Sequence, residues 1–297
     1  MFHVTLIVNP FASRVDEHAV ARVVEALQRV ARVDTMVTER RGHATELAGQ
    51  AADVDAVVVL GGDGVANEAV NGLARDIPFA ALPGGGTSVF PRALGLPRDV
   101  AAAAAQVADA LEAGRSRRIT LGVANGRRFT FACGVGFDAA AVRRMEALGR
   151  RRDGRRPGDL AFTYELFRVL AESRFRLQPT LDVRGIGRAA AVLVANGDPY
   201  SYAGGLPLHV APAARFELGL DVVAPVRVTA ASVPRFVRYA FRGGAQEHAR
   251  DVLYAHDLDV IEIVCDRPLP LQLDGEDLGD VSEVHVHAER EQLAVLV

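Results

Sequence analysis

Along the first third of the chain, short unbroken apolar runs alternate with stretches whose apolar residues recur at helical spacing. "HVTLIV" (3–8) reads as a buried strand ending at Asn9-Pro10. "DEHAVARVVEALQRVARV" (16–33) places Ala19, Val20, Val23, Val24, Leu27 and Val30 on one helical face, with Asp16 as N-cap. "VDTMV" (33–37), "AVVVL" (56–60) and "PFAAL" (78–82) read as further strands. "HATELAGQAAD" (43–53), "VANEAVNGL" (65–73), "SVFPRALGL" (88–96) and "RDVAAAAAQVADALEAG" (98–114) read as the helices between and after them, with Gly114 closing the last. Alternation of this kind predicts a parallel, two-sided α/β sheet over residues 1–118.

From residue 118 the pattern changes. "RRITLGVANGRRFTFACGVGF" (117–137) reads as two strands around Asn125-Gly126, a strong hairpin turn. Helical segments follow near 138–148 and 160–173. The remainder, including "LQPTLDV", "AAAVLVAN", "DLDVIEIVC", "LPLQLDGE" and "SEVHVHAE", reads as short strands separated by Gly, Pro and Asp turns. Residues 119–297 are thus expected to form a second, mostly antiparallel β domain. Its last few residues are expected to pack back on the first domain, and the cleft between the domains is the expected ligand site.

Composition sharpens this picture in three places. Hydrophobic residues make up 49% of 297, enough for a sizeable core, and the net charge of −3 argues against a general nucleic-acid binder. Cys133 and Cys265 stand far apart without a CxxC spacing and read as reduced thiols of a cytoplasmic protein. The opening "MFHVTLIVNPF" is too short for a signal peptide's apolar core or a membrane span. Finally, every cationic Lys/Arg position is Arg. Without lysine there is no GxxxxGK[ST] phosphate loop, no strand lysine of the protein-kinase kind and no Schiff-base chemistry.

Two loops carry the candidate chemistry. "GGDG" (61–64) ends a buried strand and opens a helix, where ligands bind in open parallel sheets. Gly61, Gly62 and Gly64 let a ligand approach the backbone, and the amides there can cradle phosphate oxygens. Asp63 would repel phosphate unless a cation bridged the two, which points to a Mg²⁺-nucleotide. A tight βα turn with Asp as helix N-cap would use the same residues. The second loop, "LPGGGTSVFPRALGLP" (82–97), repeats the strand–glycine–hydroxyl–helix order and offers Gly85, Thr87 and Ser88 as further donors. Two such loops on neighbouring strands favour an anion site over two ordinary turns.

The segment GGDGVANEAVNGL resembles the GGDGTxNEVVNGL segment of the diacylglycerol kinase catalytic family, which includes soluble bacterial lipid kinases and the sphingosine and ceramide kinases. "LPGGGTSVFPRALGLP" is similar to the family's PxGTxNDFARxLGIP segment, and "GVGFDAAAV" (134–142), "YAGGLPLHVAP" (202–212) and "LQLDGE" (271–276) follow in the family's order. The resemblance covers nearly the whole chain. It implies a two-domain, ATP- and Mg²⁺-dependent lipid kinase with a fold like that of NAD kinases and phosphofructokinases. Such an enzyme phosphorylates a hydroxyl of diacylglycerol or a related lipid, is cytoplasmic, and works peripherally on the inner face of the membrane. Self-association into a homodimer is compatible with it. By position, Asn9, Thr38, Gly61, Gly62, Asp63, Gly64, Asn67, Gly85 and Thr87 fall on nucleotide-site positions. Asp274 falls on the general base, with Glu276 beside it. Read from the residues alone, Asp274 closes an alternating strand at a turn, where its side chain can be fixed at a cleft edge; a plain Asp-Gly hairpin would look the same.

The chain departs from the family pattern in several places. Val65 stands where Thr is usual, and Ser88-Val89 where Asn-Asp is usual. "RFELGLDV" (215–222) replaces a DDG-type stretch that holds a structural Mg²⁺ in some bacterial members; Leu218 cannot ligate a metal, and Glu217 is a weak substitute. In the sphingosine kinase branch the GGDG-type aspartate is itself a proposed base, so Asp63 and Asp274 can exchange roles. Residues 143–156 hold seven arginines in fourteen positions. They read either as a patch for anionic headgroups, worth about 1 kcal/mol per charge, or as a solvated loop. His285 and His287 share a strand face without an evident third metal ligand, and His43, in a strand-to-helix loop, reads either as a neighbour of the nucleotide or as a helix-start residue. Two rival readings stay open. One is an NAD kinase-like enzyme, which shares GGDG; the other is a non-catalytic nucleotide- or lipid-binding protein.

Overall fold

The structure, a computed structural model, describes residues 1–74, 76–149, 159–203 and 205–297. The chain divides into two units: Met1–Ile119 with Glu291–Val297, and the described residues from Thr120 to Arg290.

In the first unit the order is β1 (Phe2–Val8), α1 (Glu17–Gln28), β2 (Ala31–Val37), α2 (His43–Gln50), β3 (Ala56–Gly61), α3 (Asp63–Gly72), β4 (Phe79–Pro83), α4 (Val89–Ala93) and α5 (Val100–Glu112). The strands are parallel in the order β2–β1–β3–β4, and Val295 from the end of the chain pairs in parallel with Phe79. Even-numbered residues of β1, β3 and β4, such as Leu6, Val58 and Leu82, pack with α1 and α5. The opposite face is covered by α2 and α3. Two covered faces explain why β3 is an unbroken apolar run with every residue buried. Asp16 caps α1 by accepting from the Ala19 amide at 2.7 Å.

The second unit holds β5 (Arg117–Ala124, whose first residues belong to the first unit), β6 (Arg127–Phe129), β7 (Ala132–Val135), α6 (Phe137–Ala147), α7 (Asp159–Glu172), β8 (Arg176–Leu177), β9 (Leu181–Val183), β10 (Gly187–Ala189) and β11 (Val192–Ala195). It continues with β12 (Ser201–Ala203), β13 (Leu206–Leu208), β14 (Leu220–Pro225), β15 (Val228–Thr229), α8 (Val233–Arg242), β16 (Val252–Leu258), β17 (Val260–Leu273) and β18 (Glu276–Val295). The main sheet runs β16–β14–β11–β7–β17–β18 and is antiparallel throughout. Its core is built from residues such as Val135, Val194, Val222, Ile263 and Val284.

Two sequence expectations are corrected here. "DLDVIEIVC" and "LPLQLDGE" do not form separate strands across Pro268 and Pro270. They share one fourteen-residue strand, β17, which keeps its prolines by slipping register against β18 between Val264 and Leu269 and between Pro270 and Gln272. "RRFTFACGV" is not one strand either. After the Asn125-Gly126 turn, with φ 48° and 84°, β6 ends at Phe129, and residues 130–131 leave the ladder before β7 begins. Their amides have another partner, described below. Among the described residues no helix is long and apolar enough to cross a membrane.

Candidate functional site

The two glycine loops lie against each other, backbone to backbone. The Gly84 amide donates to the Gly61 carbonyl at 2.9 Å. A Cβ on Gly85 would come within 2.9 Å of the Gly62 Cα; one on Gly84 would meet the Gly61 nitrogen at 2.9 Å and the Val15 Cγ2 at 2.7 Å. Any side chain at these two positions would force the loops apart. Asp63, the first residue of α3, ties them together: Oδ2 accepts from the Val89 amide and Oδ1 from the Phe90 amide, each at 2.9 Å. The carboxylate thereby supplies acceptors that the first amides of α4 lack. Ser88, at φ 49°, closes the loop on itself, its hydroxyl donating to the Gly85 carbonyl and accepting from the Gly85 amide. The Arg92 guanidinium holds the Thr87 carbonyl at 3.1 Å. Ser88 and Val89, departures from the family pattern, therefore have defined places in this loop. Asp63, read from sequence as a bridge to Mg²⁺, has both oxygens engaged by backbone amides.

Asn9, Thr38, Gly61–Gly64 and Gly85–Thr87 all follow the carboxyl ends of the parallel strands, so the first unit gathers them at one edge of its sheet. Asn9 donates its amide to the Leu60 carbonyl, and its Oδ1 accepts from the Phe11 amide at 3.0 Å. Thr38 is buried and donates its amide to the Val8 carbonyl. Asn67 lies one turn into α3 from Asp63 and is fully buried; its carbonyl and Oδ1 accept from Asn71 Nδ2. Its neighbours serve helix packing. The Glu68 carbonyl accepts from Thr45 Oγ1 at 2.8 Å, and a Cβ on Gly72 would sit 1.9 Å from the Thr45 carbonyl oxygen. His43 Nδ1 accepts from the Glu39 amide, a local contact at the start of α2.

In the second unit the LDGE turn is built differently from its sequence reading. Asp274, at φ 48°, does not lie at an open edge; it is only 4% exposed. Oδ2 accepts from the amide and hydroxyl of Thr130 at 2.6 and 2.8 Å, and Oδ1 from the amides of Phe131 and Ala132 at 2.9 and 3.0 Å. These are the amides released where β6 stops. Burial pushes the Asp274 pKa above the usual carboxylate value, against the pull of those donors. Glu276, also buried, pairs with Arg127 at 2.6 Å.

Beside this turn is a half-buried carboxylate that the sequence reading did not single out. Asp138, from "GVGFDAAAV", accepts from the Tyr200 hydroxyl and, at 2.7 Å, from Gln272 Nε2, whose own Oε1 accepts from the Gly275 amide. Burial raises the Asp138 pKa, and burial together with the facing carboxylate raises that of Tyr200. The available signal was the pairing of a lone Asp at a helix start with "NGDPY", which shows only once segments far apart in sequence meet. Asp198 lies two residues from Tyr200, and one of its oxygens faces His209 Nδ1.

Other sequence candidates are not brought together. Glu217 is exposed. The buried acid of its segment is Asp221, held by Tyr254 and His256 at 2.7 Å each, while Arg290 spans Asp257 and Asp259 at 2.8 and 2.6 Å. A guanidinium thus neutralises the carboxylates around the segment where some family members hold a metal, and this donor set does not fit one. Among the described residues no three His, Cys, Asp or Glu side chains converge on a metal-sized site, His285 and His287 included. Of the arginine cluster, Arg143 is paired with Asp277 and Asp280, and Arg144 with Glu172 and Glu165. Both are committed within the protein rather than free for headgroups, and residues 150–156 lie outside the described residues. Cys133 and Cys265 are buried free thiols.

A parallel sheet with paired glycine loops, joined in one chain to an antiparallel sheet with buried carboxylates, defines a two-unit α/β class. The fold is similar to the crystal structure of a diacylglycerol kinase from Bacillus anthracis, with a TM-score of 0.73 and 22% identity over 99% of this chain and 96% of that one. It is more distantly similar to an NAD kinase from Archaeoglobus fulgidus in complex with ATP, with a TM-score of 0.51 and 14% identity over 99% and 93%. In sequence, residues 3–124, about two fifths of the chain, match the profile of the diacylglycerol kinase catalytic domain. It is 35% identical over 138 residues to the diacylglycerol kinase of Bacillus subtilis, 44% of this chain and 45% of that protein, so the match spans about half the length of the relative.

Proposed function

We propose that this protein is a lipid kinase that transfers the γ-phosphoryl group of ATP to a hydroxyl of diacylglycerol or a related lipid at the cytoplasmic membrane surface. The observation that carries the reading is the pair of glycine loops held in contact by Asp63, in a segment that matches the diacylglycerol kinase catalytic domain. Phosphoryl transfer asks mainly for positioning and charge stabilisation. Backbone amides at the start of α3, in a loop with no side chain at Gly61, Gly62 or Gly64, suit the polyphosphate of a nucleotide. Mg²⁺ is read as part of the Mg-nucleotide substrate.

In the transfer, the bond from the γ-phosphorus to the bridging oxygen breaks, ADP leaves, and the acceptor oxygen bonds to phosphorus and loses its proton. Of the two carboxylates that the resemblance offers as base, Asp63 is half-buried and Asp274 is closed in by four donors. We assign the proton to Asp63. Asp274 acts as a positioning residue that holds residues 130–132.

The test is incubation with γ-labelled ATP and, in separate reactions, mixed vesicles containing diacylglycerol and free NAD. Label in a lipid phosphomonoester is the expected result. Label in a dinucleotide would replace this reading with the NAD kinase one, and no transfer to any acceptor would favour a binding protein.

A further inference from the structure

Helix α8, "VPRFVRYAFR", carries no acidic residue and is strongly two-sided. At about 100° per residue, Phe236, Tyr239 and Ala240 share one face, while Arg235, Arg238 and Arg242 share another, roughly a third of a turn away. Val237 and Phe241 form the apolar flank between them. The structure covers only part of the apolar half. Tyr239 is buried, and Phe236 packs edge-on against it and among Val210 and Val223. Val237 and Phe241 remain 40% and 46% exposed.

The neighbouring elements extend this uncovered strip. Helix α8 packs on β13, and the His209 amide just beyond β13 donates to the Ala240 carbonyl. Leu206 at the start of β13 is 62% exposed. Helix α7, packed on the paired strand β12, adds Tyr164 and Phe167, at 62% and 46%. Half of the exposed large hydrophobics of the described residues therefore lie on three adjoining elements. Next to them, Arg235 is paired with Asp251, but Arg238 and Arg242 have no carboxylate partner among the described residues. Arg238 stacks on Tyr239, 5.6 Å from the ring centroid.

We infer that α8 and the β12–β13 pair form a docking face for an anionic lipid surface. Val237, Phe241 and Leu206 enter the apolar boundary, and Arg238 and Arg242 meet the headgroups. An interfacial helix needs this arrangement: an apolar flank open to solvent beside a row of cations without acids. The acid-free arginine row selects an anionic bilayer over a neutral one. That the partner is a membrane rests on the lipid-kinase reading; the shape and charge of the surface do not. The face also differs from the arginine-rich segment 143–156, whose described members are already paired.

The chain has no tryptophan, so Phe241→Trp places a single fluorophore on this face. Its emission is expected to shift to the blue with phosphatidylglycerol–phosphatidylcholine vesicles and to move much less with phosphatidylcholine alone. Co-sedimentation without ATP measures docking by itself. Val237→Ser/Phe241→Ser is expected to weaken binding to the anionic vesicles at least about tenfold, since burying either side chain is worth more than that factor. Arg238→Ser/Arg242→Ser is expected to weaken it on anionic vesicles only. Leu206→Ser, on a separate element, repeats the apolar test should the double variant lose its fold.

No blue shift, or unchanged binding in the apolar variants, would overturn the docking face. So would a change in oligomeric state in place of vesicle binding, which would make it a contact between copies. Turnover on a short-chain, water-soluble diacylglycerol reports the kinase reading separately. Its absence beside intact vesicle binding would sink the kinase reading and leave the docking face standing, whereas turnover without vesicle binding would do the reverse.

Discussion

Asp274 and Thr130 share two hydrogen bonds, one from the Thr130 amide and one from its hydroxyl, both to the same carboxylate oxygen. The other oxygen takes two more amides. Asp274→Asn must turn an NH₂ group toward one of these pairs, and backbone amides cannot reverse their polarity. At least one buried donor is orphaned, at about 1–3 kcal/mol each. The variant is expected to show a lower thermal midpoint with ATP binding largely intact. An unchanged midpoint together with a lost kcat would return the base role to Asp274.

Asp138 has the opposite tolerance. Its partners are a hydroxyl and a side-chain amide, and the Tyr200 hydroxyl can rotate to accept from an Asn NH₂. Burial raises its folded pKa above the unfolded value of about 3.9, so the native state binds the proton more tightly than the unfolded state does. Its stabilising contribution is therefore complete below that unfolded value and is lost as pH rises through the folded pKa. Comparing midpoints across that window, wild type should fall relative to Asp138→Asn as pH rises. Parallel pH profiles would mean that Asp138 is not titrating there.

The fold class was legible because its signals are local. Apolar runs such as "AVVVL", helical spacing in α1 and glycines at strand ends each fit within one stretch of sequence. The buried and half-buried polar groups were not legible. Asp274 meets donors more than 140 positions away, and Asp138 meets partners 62 and 134 positions away. An Asp-Gly turn looks the same whether its carboxylate points to water or to three amides. Arg143 and Arg144 are a related case: their acidic partners, Asp277 and Glu172, lie in segments that the arginine count never considers.

Gly85→Ala and Gly86→Ala separate the loop contact from generic glycine loss. Neither glycine has a positive φ, but a Cβ at 85 meets the Gly62 Cα at 2.9 Å, whereas one at 86 finds only Ser13 Oγ at 3.8 Å. Gly85→Ala should weaken ATP binding at least about tenfold, the equivalent of ~1.4 kcal/mol, while Gly86→Ala stays near wild type. Calorimetric titration with ATP checks both. Equal affinities would mean that the loops move apart without consequence.

The Arg290 network bears on metal dependence. With Arg290 seated on Asp257 and Asp259, and His256 hydrogen-bonded to Asp221, the second unit already has a guanidinium where a structural Mg²⁺ would otherwise balance charge. Removing divalent ions with EDTA should leave the thermal midpoint unchanged in the absence of nucleotide, while Arg290→Gln should lower it slightly, because these pairs are partly exposed. A clear fall in midpoint on chelation would reveal a structural ion that this donor set does not suggest.

Asp63 has two duties in the proposed reaction, and one substitution can tell them apart. As a tie, it holds the amides of Val89 and Phe90 and so keeps the two loops in register. As a base, it takes the acceptor's proton. Asp63→Asn retains one acceptor oxygen for α4, so the tie is weakened by about 1 kcal/mol, on the scale of a lost helix cap. That loss should appear as weaker ATP binding and a small fall in midpoint. Loss of the base should appear in kcat, by a factor on the order of 10²–10⁴ at saturating ATP, where weakened binding no longer limits the rate. Near-normal kcat at saturating ATP would leave Asp63 as a tie alone. The proton would then leave with solvent or with the nucleotide's own oxygens, unless the Asp274→Asn variant keeps its midpoint and loses kcat.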